Sequence, residues 1–155
     1  MALAALYALE NMGNERALDT TLDLYDQTRS ERMRKRIIHV MSSFDSPRIV
    51  AKLAEIARTD ASISIRRQAA FALGTRDEAS AHEALRAIAG DDTVDVNVRR
   101  AAIQAMANTE VPDLVPFLTA LARSDAPSEL TRAAVHTLAT ADDPAASAAL
   151  IDLLE

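Results

Sequence analysis

Ile65-Arg66-Arg67-Gln68-Ala69-Ala70-Phe71-Ala72-Leu73 is the stretch that decides the fold, because its pattern returns four more times at a nearly fixed interval. Counterparts begin at Met1 (MALAALYAL), Met33 (MRKRIIHVM), Val98 (VRRAAIQAM) and Leu130 (LTRAAVHTL), so the steps along the chain are 32, 32, 33 and 32 residues. In each, the first, fifth, sixth, eighth and ninth places are apolar or small, a spacing that lays a broad stripe along one face of an α-helix. Self-similarity at this period marks a stacked repeat, in which each unit exposes apolar surface until its neighbours cover it.

A second helix follows each of these, and its start is legible in capping chemistry. Asn14, Ser46 and Asp143 stand where a side-chain oxygen accepts from orphan backbone amides. Pro47, Pro112 and Pro144 fall where the first helical residue is expected, a place that needs no amide proton. Glu78 and Val111 are weaker occupants of the cap position. Two columns define the buried face of this second helix: Thr21, Leu53, Leu85, Leu118 and Leu150, then Leu24, Ile56, Ile88, Leu121 and Leu153. Short polar links (59–64, 91–97 and 124–128) join one pair to the next. The expected division is a single domain over 1–155, with repeats at about 1–29, 30–61, 62–93, 94–126 and 127–155.

Composition agrees with an all-α reading. Of 155 residues 49% are hydrophobic but only 3% aromatic, and three glycines and five prolines supply little turn material for a sheet. Alanine and leucine, strong helix formers, carry the apolar mass. The absence of cysteine removes disulfides and thiolate chemistry. The apolar run 1–9 is too short to span a bilayer and lacks a basic leader, so it reads as a helix of the fold. A net charge of −6 opposes binding to nucleic acid or an anionic membrane. The expectation is a soluble protein, cytoplasmic, or periplasmic or secreted if a signal peptide lies upstream.

Ile65-Arg66-Arg67, Ala69-Ala70 and Leu73-Gly74 with Asp77 in the turn, and equally Val98-Arg99-Arg100-Ala101-Ala102, resemble the HEAT-like repeat of bacterial repeat proteins and bilin lyase subunits. The resemblance implies a right-handed α-solenoid of about five helix pairs, with the first helix of each pair on the convex side and the second on the concave, partner-binding side. It also implies that turn acids (Asp45, Asp77, Glu110 and Asp142) tie to arginines of the first helices (Arg34, Arg66 and Arg99), a ladder that Thr131 interrupts.

These features favour a non-catalytic scaffold that holds a protein or peptide. Candidate partner-binding residues on the outer side of the second helices are Arg48, Lys52, Glu55, Glu83, Arg86, Asp113 and Phe117, the last an aromatic of the kind that anchors interfaces. Alternatives are a bilin lyase-like or lyase-chaperone subunit, or a non-catalytic repeat extension of a larger enzyme. His39 and His136 hold the same repeat position three layers apart and cannot share a metal. HEAT-like deoxyhypusine hydroxylases carry several His-Glu pairs, whereas this chain has one, His82-Glu83, too few ligands for a metal centre. No cofactor is expected. HEAT-like alkylpurine DNA glycosylases grip DNA with basic surface and aromatics. Here the charges by repeat are −3, +3, −1, −1 and −4, and the basic cluster Arg32, Arg34, Lys35 and Arg36 has no aromatic interleaved, so its charges are expected to pair with the acidic first repeat. Neither end carries a polar capping helix, which predicts a segment of a longer array or self-association through an end face.

Overall fold

The computed structural model describes residues 2–107, 109 and 111–154, with side chains from residue 4. Met1, Asn108, Glu110 and Glu155 lie outside the described residues, so the first place of the first motif and the Glu110 rung of the expected ladder stand outside this description. Among the described residues the chain forms ten α-helices and no strand.

The helices are α1 (Ala2–Met12), α2 (Glu15–Gln27), α3 (Glu31–Met41), α4 (Pro47–Thr59), α5 (Ile63–Leu73), α6 (Ala79–Gly90), α7 (Val96–Met106), α8 (Leu114–Arg123), α9 (Ser128–Thr140) and α10 (Pro144–Asp152). Odd-numbered helices contain the repeated nonapeptides and pack on one another in chain order, α1 on α3, α3 on α5, α5 on α7 and α7 on α9. Even-numbered helices form the second layer, and each of α2, α4, α6 and α8 also packs against the odd helix that follows it. This serial packing is an α-solenoid.

The core follows the stripe. In α5 and α7 all five motif places are buried: Ile65, Ala69, Ala70, Ala72 and Leu73, then Val98, Ala102, Ile103, Ala105 and Met106. Leu53, Leu85, Leu118, Ile56 and Ile88 from the second helices seal the other side, each 2% exposed or less. Thr21 fits the leucine column because its hydroxyl donates to the Ala17 carbonyl at 2.7 Å, which satisfies its polar group inside the helix. Leu24, Leu121, Leu150 and Leu153 are only half-buried.

Gly74 is required by packing. A Cβ there would stand 2.6 Å from the Ala105 Cβ of the next repeat. The end of α5 therefore lies close against the end of α7.

Caps hold at three of the expected places. Asn14 accepts from the Ala17 amide, Ser46 from Arg48 and Asp143 from Ala145. Glu78 makes no cap bond. The fourth repeat departs from expectation: α8 begins at Leu114, not at Pro112, with Asp113 in the left-handed region at φ 55°. Pro116 gives the reason. Were Pro112 the first helical residue, Pro116 would sit in the interior, with no amide to donate and its ring against the carbonyl four residues back. Starting at Leu114 places Pro116 in the first turn, where no donor is needed, and aspartate tolerates the left-handed turn better than most residues.

Candidate functional site

The seven candidate residues all lie on or at the start of even-numbered helices, in three successive repeats. Arg48, Lys52 and Glu55 belong to α4, Glu83 and Arg86 to α6, and Asp113 and Phe117 to the start of α8. The layer that carries them is laced between repeats by polar contacts whose sequence separations cluster around the repeat length.

At the first junction, Arg48 bridges Asp19 at 2.7 Å and Glu15 at 3.4 Å. Hydrogen bonding to Asp19 raises its pKa further above the ordinary arginine value. Lys52 lies 2.8 Å from Asp26 and 3.2 Å from Glu55, with its ammonium 5.9 Å from the centre of the Tyr25 ring. Burial alone would lower the Lys52 pKa, but the Asp26 and Glu55 carboxylates outweigh it and hold the group protonated. These ties correct the expected pairing of charges. The acidic first repeat is met by Arg48 and Lys52, whereas Lys35 pairs within its own helix with Glu31 at 3.0 Å and Arg34 pairs with Asp60 at 2.9 Å.

The arginine ladder is also rebuilt. Arg34, Arg66 and Arg99 do not reach the turn acids among the described residues. Their Nε atoms donate to carbonyls at the end of the preceding even-numbered helix: Arg34 to Thr28 at 3.1 Å, Arg66 to Asp60, and Arg99 to Ala89 at 3.0 Å. The physical reason is the orphan carbonyls there, whose partial negative charge favours a cation. Asp45 is almost fully exposed and lies 3.9 Å from Arg76. Arg76, itself 7% exposed, donates to the Phe44 carbonyl one repeat back at 3.1 Å and pairs with Glu78 at 2.6 Å.

A clasp that the repeat pattern alone did not disclose joins the first two repeats. Tyr25 of α2 donates its hydroxyl to Asp60 at 2.6 Å, and Arg34 of α3 reaches both carboxylate oxygens of Asp60 at 3.0 and 2.9 Å. Burial and the Asp60 carboxylate push the Tyr25 phenol pKa upward. Burial also pushes Asp60 up, but the Tyr25 hydroxyl, the Ser62 amide and Arg34 overcome it, so its carboxyl stays below the usual range. A sequence signal existed: Tyr25 occupies a column that reads Ala57, Ala89 and Ala122 in the next three repeats. Further along, Arg58 pairs with Asp91 and Arg123 with Asp152 at 3.1 Å.

Glu83 is exposed and Arg86 half-buried, and neither enters an ion pair among the described residues. Asp113 forms the turn before α8, and Phe117 is half-buried against the core. The sequence-adjacent His82 and Glu83 are not a pair in space: His82 is 5% exposed while Glu83 faces outward. The His82 Nε2 is buried without a hydrogen-bond partner. His39 and His136 lie exposed on the odd-helix layer. Among the described residues, no three of His, Asp and Glu converge closely enough to hold a metal, and no helix is long and apolar enough to cross a membrane.

The even-helix layer is thus a ladder of ion pairs that ties successive repeats together. The HEAT-repeat family model matches residues 50–139 and 94–155, most of the chain. The chain belongs to the HEAT-repeat family, whose repeats generally mediate protein-protein interaction. No curated protein matches it.

Proposed function

We propose that this chain is a non-catalytic scaffold that binds a protein or peptide along the even-helix surface, the concave face in the arrangement that the family resemblance implies. The observation that carries the reading is the placement of Arg48, Lys52, Glu55, Glu83, Arg86 and Phe117 on one layer of three consecutive repeats. Within it the α2–α4 junction is an internally paired ladder, so its charges are largely spent on holding repeats together. Glu83, Arg86 and the exposed edge of Phe117 remain as the adjustable part. Binding energy spread over several repeats and concentrated at an aromatic anchor fits such a surface.

The test places a photo-crosslinking residue at Glu83 or Arg86, and in parallel at Phe71 or Gln104 on the odd-helix layer. The reading expects one reproducible partner captured from the α6 positions, lost on Glu83→Lys with the fold intact by circular dichroism. Capture of that partner from the Phe71 and Gln104 positions alone would refute it.

A further inference from the structure

Where the α7–α8 connection meets the α9–α10 connection, repeats four and five enclose a cleft of about 690 Å³, large enough to take side chains of a ligand. Leu114 and Pro144 give it apolar walls, and Asp113, Asp142 and Asp143 line it as exposed residues. Among the described residues none of these carboxylates enters an ion pair, and no lysine or arginine lines the cleft. Asp143 uses one oxygen to accept from the Ala145 amide at 2.8 Å. Two hydroxyls in the same lining are unsatisfied. Thr137 is 2% exposed, and its hydroxyl makes no hydrogen bond among the described residues. It is the one polar residue in a column that otherwise reads Ala8, Val40, Ala72 and Ala105. The Thr109 Oγ1 is buried without a partner, a costly condition unless a donor reaches it.

The equivalent cleft between repeats two and three shows what such a place holds. There Arg76, 7% exposed, donates to the Phe44 carbonyl of the preceding repeat at 3.1 Å and pairs with Glu78 at 2.6 Å. One period maps Ala141 onto the place of Arg76, Thr109 onto that of Phe44 and Asp143 onto that of Glu78. The accepting groups are kept and the guanidinium is not. We infer that the cleft between repeats four and five binds an arginine side chain of a partner protein. Its methylene stem lies along Leu114 and Pro144. Its guanidinium pairs with Asp143 as Arg76 does with Glu78, and its remaining N–H groups donate to the unsatisfied hydroxyls. Charge complementarity selects this occupant, since the lining holds three carboxylates and no cation in a repeat pair of −1 and −4. A metal ion fits less well, because among the described residues no three of His, Asp and Glu converge closely enough to hold one. The site lies at the turns, apart from Glu83 and Arg86 on α6, so it goes beyond the even-helix reading and does not depend on it.

The test uses a capped five-residue peptide of glycine and alanine around one central arginine, its citrulline counterpart, which keeps the shape without the charge, and its glutamate counterpart. Binding to the full chain is followed by amide chemical shifts. The expected result is saturable binding of the arginine peptide alone, with shifts centred on Thr137, Ala141 and Asp143. Asp142→Asn combined with Asp143→Asn keeps the α10 cap, since asparagine caps as well as aspartate, and weakens binding about fivefold or more. Ala141→Arg supplies a guanidinium from within the chain and abolishes peptide binding, whereas Asp23→Asn on α2 leaves it unchanged. The inference is overturned by no saturable binding, by shifts centred elsewhere, by equal binding of the citrulline or glutamate peptide, or by full affinity in either folded cleft variant.

Discussion

Replacing Gly74 by alanine separates packing from backbone propensity, because the two pull in opposite directions. Gly74 follows α5 with φ −71° and ψ −5°, ordinary helical backbone that alanine adopts freely. On backbone grounds alone Gly74→Ala should stabilise by about 0.4–1 kcal/mol, by narrowing the unfolded ensemble. The new Cβ, however, would lie 2.6 Å from the Ala105 Cβ, 2.8 Å from the Ala105 carbonyl oxygen and 3.0 Å from its carbon. Carbon atoms rest at about 3.5–4.0 Å, so α5 and α7 would have to part by roughly 1 Å. Overpacking of that kind costs about 1–3 kcal/mol. The expected balance is a loss of about 1–2 kcal/mol, or about 2–8 °C in Tm for a chain of this size. Gly90→Ala is the internal control: a Cβ there meets nothing within 4 Å, so its Tm should rise. Differential scanning calorimetry of both variants decides. A Gly74→Ala protein that melts as high as Gly90→Ala would show that successive odd helices do not approach as described.

Leu118→Ala removes a fully buried side chain shared between layers and should cost about 2–5 kcal/mol in chemical denaturation; an unchanged midpoint would contradict the register of α8. His82 holds a place filled by Leu18, Val50 and Val115 in the first, second and fourth repeats and by Ser147 in the last, and its buried Nε2 has no partner. His82→Leu should therefore stabilise, by about 1–3 kcal/mol if the full cost of the orphan nitrogen is recovered; a lowered Tm would mean that the imidazole is satisfied in solution. Asp91 is depressed to about 2, by hydrogen bonds from Thr93 and then Arg58, and Asp60 is depressed as well. Because both pKa values are lowered on folding, their contribution is present above the unfolded carboxyl value near 4 and is lost as pH falls toward about 2. Thermal melts should drop across that window, less steeply in Asp91→Asn, and equal slopes in the two proteins would refute the assignment.

The fold was legible because a strict period of 32 or 33 residues leaves the same side chains to be buried in every layer, and α5 and α7 bury all of theirs. Caps were legible where a short polar side chain precedes proline, as at Ser46 and Asp143. They were not at α8, where two prolines compete and the later one decides the start. The polar ties were harder to read. The resemblance pointed to turn acids as partners for Arg34, Arg66 and Arg99, but a flexible guanidinium is drawn to the nearest unpaired carbonyls, and those lie at the preceding helix end. Tyr25 and Asp60 lie 35 residues apart, outside the 32–33-residue period, so column alignment does not bring them together. The candidate residues Arg48 and Lys52 lie on α4, yet the pairing of Arg48 with Asp19 and of Lys52 with Asp26 depends on side-chain reach rather than on spacing.

The central claim is that residues one period apart occupy equivalent places in successive layers. His39, Phe71, Gln104 and His136 form one exposed column, and the chain has no native cysteine, so nitroxide labels can be placed there cleanly in pairs for pulsed dipolar spectroscopy. With packed helices about 8–10 Å apart, the 39/104 pair should give about 16–20 Å and the 39/136 pair about 25–30 Å, rising with each added layer. A 39/136 distance equal to or shorter than the 39/104 distance would contradict the account.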